Sequence, residues 1–85
     1  MPEISRFFGI VIQMFYDDHA PPHFHARYGE YRIKVDIESG DVVGEFPPRA
    51  RGLVLEWRLR QLEQLRKNWT LARNRRPLEP IAPLE

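Results

Sequence analysis

His23-Phe24-His25-Ala26-Arg27-Tyr28-Gly29-Glu30-Tyr31-Arg32-Ile33-Lys34-Val35-Asp36-Ile37 is the stretch that decides the fold. Residue character alternates on both sides of Gly29-Glu30, the period of two that places successive side chains on opposite faces of a strand. A two-residue connection with glycine first suits a type II′ turn, so the segment reads as a β-hairpin. That turn fixes the register. Tyr28 faces Tyr31, Ala26 faces Ile33 and Phe24 faces Val35, an apolar set expected to form the core face; a slip of one residue would mix the two faces. The opposite face carries Arg27 across from Arg32, His25 across from Lys34 and His23 across from Asp36.

Working outward, Asp17-Asp18-His19-Ala20-Pro21-Pro22 reads as a loop, because neither proline can donate a ladder hydrogen bond. The apolar run before it, Phe7 to Tyr16, is interrupted only by Gly9 and Gln13 and reads as one strand covered on both faces. On the other side, Glu38-Ser39-Gly40-Asp41 reads as a turn and Val42 to Phe46 as a short last strand. These elements predict an antiparallel meander of three or four strands.

Pro47-Pro48 opens a helical segment, proline being acceptable in a first helical turn. Two apolar stripes follow, and they are out of phase. Ala50, Leu53, Val54 and Trp57 form the first; Leu55, Leu59, Leu62, Leu65, Trp69 and Ala72 form the second. One helix from Pro48 to Asn74 would be ~40 Å long, twice the ~17–20 Å of a short strand. The expectation is therefore one bent helix or two consecutive helices, broken near Trp57–Arg60. Three prolines exclude a helix from Pro77-Leu78-Glu79-Pro80-Ile81-Ala82-Pro83-Leu84-Glu85. Its Leu78, Ile81 and Leu84 are expected to strap it across the domain or a partner. The whole is an α+β protein, with a single domain over 1–76 and a Pro-rich extended tail over 77–85.

Composition narrows the class. The chain has 85 residues, 42% hydrophobic and 29% charged, which suits one globular domain. There is no cysteine, which excludes disulfides and thiolate metal sites. No apolar run approaches the ~20 residues of a membrane span, and the N-terminus lacks the layout of a signal peptide, so a cytoplasmic location with no membrane partner is expected. Net charge is +1 and favours no partner class. From Arg49 to Arg76, however, nine Lys and Arg stand against Glu56 and Glu63, a pattern of a solvated helix face or of a surface for nucleic acid or an acidic partner.

All three histidines lie within seven residues. His23 and His25 are two apart on a strand and share a face. Three readings follow. The first is an ordinary polar outer face. The second is a metal site, with His19 or Asp17 from the loop as third ligand. The third is metal-free acid–base chemistry on a phosphodiester, with no cofactor. In it His23 is general base or acid, Asp36 its orienting carboxylate, His25 the second proton-transfer group, and Arg27, Arg32 and Lys34 clamp phosphate. The same cations would bind a nucleic-acid backbone without cleavage. A base-stacking platform is not supported, since Phe24, Tyr28 and Tyr31 are assigned to the core face.

Met1-Pro2-Glu3-Ile4-Ser5-Arg6-Phe7 with Gly9-Ile10, the centre Asp18-His19-Ala20-Pro21-Pro22-His23-Phe24-His25, then Pro47-Pro48-Arg49-Ala50, Leu55-Glu56-Trp57, Asn68-Trp69 and Pro77-Leu78 resemble a family of small uncharacterised bacterial proteins, a domain of unknown function. Arg51-Gly52 departs from that pattern, glycine being a poor residue for a first helical turn. Members are often encoded beside another small gene in pairs that look like toxin–antitoxin modules. The resemblance implies a small protein partner from the neighbouring gene and a role within such a module, and it supplies no catalytic residues. The leading expectation is a module component, in the toxin or the antitoxin role, contacting RNA or another phosphate-bearing target through the His/Arg/Lys face. The alternatives are a non-enzymatic interaction module, with contacts at Trp57 or the tail, and a His-based metal-binding protein; a homodimer is compatible with each.

Overall fold

The computed structural model describes residues 2–85, and the chain is α+β. Five strands, β1 (Glu3–Phe7), β2 (Ile10–Gln13), β3 (His23–Tyr28), β4 (Tyr31–Asp36) and β5 (Val42–Glu45), form one antiparallel sheet in chain order. Two helices, α1 (Pro48–Arg60) and α2 (Leu62–Arg73), follow.

The central hairpin has the register derived from its turn: Tyr28 pairs with Tyr31, Ala26 with Ile33, Phe24 with Val35 and His23 with Asp36. The sheet has five strands, not three or four, because the run from Phe7 to Tyr16 is not one strand. It is cut at Phe8-Gly9, which join β1 to β2 with φ of 50° and 80°. Positive φ at both central positions is the type I′ geometry that matches strand twist. A bulky residue rarely enters that region, so Phe8 conceals the turn.

One face of the sheet meets the helices. Ile10, Ile12, Phe24 and Val35 are fully buried there with Val54 and Trp57 of α1 and Leu65 of α2. The Trp57 indole lies 5.5 Å from the ring of Phe7 and 5.6 Å from that of Phe24. Burying side chains of this size stabilises by about 1.5–3 kcal/mol each. The helical segment breaks at Gln61 (φ −115°, ψ 23°), whose N–H bonds the carbonyls of Trp57 and Arg58. The break lets both out-of-phase stripes reach the core. Leu59 alone among the stripe residues stays outside, 67% exposed.

The tail crosses the domain. Ile81 and Leu84 are buried, the Ile81 N–H donates to the Ile4 carbonyl, and Trp57 Nε1–H donates to the Ala82 carbonyl. Buried Asn68 exchanges two hydrogen bonds with the Glu79 backbone. Extended backbone without ladder partners thus finds partners in side chains of α1 and α2 and at the edge of β1.

Tyr28 and Tyr31, assigned to the core face by alternation, are 37% and 48% exposed. They stand at the turn end of the hairpin, and Tyr28 packs on Phe46 at a centroid distance of 6.1 Å. With Phe8 they make an aromatic end to the molecule.

Candidate functional site

The outer face of β3 and β4 carries the candidate residues, and the loop between β2 and β3 folds over its far end. His23, His25, Lys34 and Asp36 line one open cavity of about 440 Å³ with Asp18, His19, Pro21, Asp41 and Val43. Arg27 and Arg32 lie farther along the face and line a smaller recess with Gln13, Phe15 and His25. The hairpin therefore collects all six predicted residues on one face, and divides them between two depressions.

The strand pairing puts His23 opposite Asp36, but the Asp36 carboxylate is occupied elsewhere. Its Oδ1 accepts the backbone N–H groups of Glu38 and Ser39 at 2.8 and 2.9 Å, closing the turn into β5. These donors, with that of Ser39 foremost, hold the Asp36 carboxyl below the ordinary carboxylate range. An Asx-type turn competes well for a carboxylate at the end of a strand. Arg58 braces the same turn from α1: buried, it donates from Nε to the Ile37 carbonyl and from Nη2 to the Glu38 carbonyl, both at 2.8 Å.

The carboxylate that meets the imidazoles is Asp18. Its Oδ2 lies 3.1 Å from His23 Nε2 and 3.0 Å from His25 Nε2. The three donor atoms all fall within 4.8 Å of one another, a spacing able to hold a metal ion. Each histidine has its own support. His23 is only 7% exposed, its ring 5.4 Å from Trp69 and 5.1 Å from His25. Its Nδ1 donates to the Pro21 carbonyl at 2.8 Å, which makes Nδ1 a protonated nitrogen and directs Nε2 at Asp18. His25 is half-buried and packs edge-on against Phe15 at 4.8 Å.

Of the loop residues weighed as ligands, His19 lines the cavity while Asp17 is bound to Arg75 at 2.7 Å on the surface. Asp18 was not accessible to strand periodicity because it sits in an irregular loop. The only sequence signal for it is its place in the Asp18-to-His25 motif. Five of the nine cations in the run from Arg49 to Arg76 are engaged: Arg60 pairs with Glu56, Arg66 with Glu38 and Glu63, Lys67 with Glu79, Arg75 with Asp17, and Arg58 is buried.

No helix among the described residues is long and apolar enough to cross a membrane. No curated protein and no solved structure matches the chain. A family model described as a domain of unknown function (DUF4160) matches residues 9–70, spanning the whole sheet after β1, the loop over the site and most of both helices; the chain belongs to that family.

Proposed function

We propose that the protein is the RNA-contacting component of a bacterial two-gene, toxin–antitoxin-like module, binding the phosphate backbone along the outer face of β3 and β4. The observation that carries this reading is the line of Lys34, Arg32 and Arg27 running from the histidine cavity along one solvent-facing side of the hairpin. Lys34 and Arg32 are exposed and Arg27 half-exposed, and none is in an ion pair among the described residues, Arg27 alone adding a weak attraction to Glu3. Cations in such a row bind a flexible polyanion through released counterions. His25, half-buried beside Lys34, is the imidazole nearest such a strand.

Metal-free cleavage by His23 and His25 is less well supported than binding. In-line attack on a phosphodiester needs an acid and a base on opposite sides of the phosphorus, whereas both imidazoles direct Nε2 at the same Asp18 oxygen. The test is fluorescence anisotropy with a labelled single-stranded RNA at low salt, alongside co-expression with the neighbouring gene scored for growth arrest and rescue. Binding lost in a Lys34→Ala/Arg32→Ala variant is the expected result. RNA affinity absent at low salt, or unchanged in that variant, overturns the reading.

A second reading, a non-enzymatic module that holds the neighbouring gene's protein, is favoured by the aromatic end. Phe8 and Tyr28 line an apolar groove of about 210 Å³ with Pro47, Arg49 and Leu53, and Phe8 is 62% exposed. Trp57 and the tail are engaged within the domain, so a partner would dock at this end instead. Loss of co-purification of the neighbour in Phe8→Ser supports it; co-purification unaffected by Phe8→Ser removes it.

A further inference from the structure

We infer that Asp18, His23 and His25 form a binding site for one divalent first-row transition metal ion, with Zn²⁺ the representative, open to the cavity on its remaining coordination positions. The assignment stands on the ligand geometry and does not depend on the RNA reading.

The first support is a lone-pair conflict. The Pro21 carbonyl takes the proton of His23 Nδ1, so in the neutral ring Nε2 faces the Asp18 carboxylate with electron pairs on both sides, 3.1 Å apart. Either a proton on Nε2 or a metal ion must lie between them, and titration with zinc tells the two apart. His25 Nε2 approaches the same oxygen at 3.0 Å, so a single ion at this point would satisfy three groups at once. A hydrogen bond from the second ring nitrogen of a ligating histidine to a backbone carbonyl is the usual outer support of metal ligands, because it sets the tautomer and the ring plane. His23 has that support, and burial against Trp69 further limits its rotation.

The second support is metric. With metal–ligand bonds of about 2.0–2.1 Å, donors 3.0–3.1 Å apart subtend roughly 95° at the ion, between the octahedral and tetrahedral angles. The two imidazole nitrogens, within 4.8 Å of each other, must close to the ~4.1 Å or less that two such bonds span, a movement open to the half-buried His25 ring. Two imidazoles and one carboxylate, without thiolate, suit zinc and its neighbours in the first row and discriminate against magnesium and calcium, which prefer all-oxygen shells.

The third is the charge of the cavity. Asp18, Asp36 and Asp41 line it against Lys34 alone among always-charged cations. Three carboxylates favour a divalent cation at the point where two histidines converge. Three protein ligands with an open side is the arrangement of sites that bind a further ligand or water, in contrast to closed four-ligand structural sites.

The experiment is isothermal titration of tag-free, chelator-treated full-length protein with ZnCl₂, paired with elemental analysis after desalting and a melting curve with and without zinc. The expected result is about one equivalent of zinc and a raised melting temperature. Asp18→Asn and His25→Gln each weaken binding at least tenfold while circular dichroism stays unchanged; both positions are partly exposed, so these variants avoid the folding defect that the buried His23 risks. Mg²⁺ at the same concentration does not raise the melting temperature. Substoichiometric zinc, or affinity unaltered in both variants, overturns the assignment and leaves the cluster bridged by a proton. Because no RNA is present in these measurements, failure here leaves the RNA reading intact, and failure of RNA binding leaves the metal site intact.

Discussion

Trp57 donates its indole N–H to the carbonyl of Ala82 at 2.8 Å, joining the largest fully buried side chain of α1 to the C-terminal strap. The strap thus completes the core, and its apolar anchors contribute like core residues. Ile81→Ala and Leu84→Ala are each expected to cost about 2–4 kcal/mol, the range for truncating buried aliphatic side chains. That is a large share of the ~5–10 kcal/mol total expected for a domain of this length. Urea denaturation followed by tryptophan fluorescence measures it; losses under about 0.5 kcal/mol, the scale of surface substitutions, would show the strap to be dispensable.

The turn carboxylate predicts a pH signature. Asp36 is held below the ordinary value of 3.8 by N–H donors of Ser39 and Glu38. A depressed folded-state pKa contributes stability that is fully present above 3.8 and is lost as pH falls through the lowered value. Asp36→Ala should therefore destabilise by about 1.5–3 kcal/mol at neutral pH, the range for hydrogen bonds to a charged group. The gap from the native chain should close as pH falls below that value. A gap that is constant from neutral pH to strongly acid conditions would assign the loss to packing instead.

RNA binding, if it uses Arg27, Arg32 and Lys34, has a salt slope set by their number. Three neutralised phosphates on a single strand give a slope of log K against log salt of about −2, and removing one cation lowers its magnitude by about 0.7. Anisotropy titrations at several salt concentrations with Lys34→Ala, Arg32→Ala and Arg27→Ala check this. A slope unaffected by all three would move the contact to another face.

Two glycines should respond oppositely to alanine. Gly44 in β5 has φ of 112°, and a Cβ there would meet the Arg32 carbonyl oxygen at 2.5 Å. Gly44→Ala must displace the edge strand and should cost at least the ~1–2 kcal/mol of a left-handed side-chain conformation. Gly52 lies exposed in α1 with open space around it. Gly52→Ala should stabilise by up to about 1 kcal/mol through helix propensity. Thermal melts of the pair decide it, and a destabilised Gly52→Ala would contradict the placement of α1.

How much of this was legible in the sequence depends on what set each feature. The register of β3 and β4 follows from Gly29-Glu30 and a strict period of two, so His23 to Asp36 could be paired from residues alone. The helix break was legible because two stripes cannot both face one sheet from a straight rod. The β1–β2 turn was hidden, since Phe8 adopts a conformation that favours glycine or asparagine and sits within an apolar run. The orienting carboxylate was hidden for a different reason. Cross-strand pairing places Cα atoms, while the carboxylate of Asp36 was free to choose nearer backbone donors, and the one that reaches the imidazoles arrives from an irregular loop with no period to read.

The strictly sequential strand order has a kinetic consequence. Each strand finds its ladder partner next to it along the chain, so the sheet assembles through short loop closures and has low contact order, the regime of fast folding. The bond from Ile81 to Ile4 is the exception, spanning nearly the whole chain. During synthesis this strap emerges after every strand, so β1 and Trp57 stay partly uncovered until residues 77–85 have left the ribosome. Stopped-flow refolding should accordingly show backbone ellipticity recovering before the Trp57 signal; simultaneous recovery would mean that the strap joins the sheet in a single step.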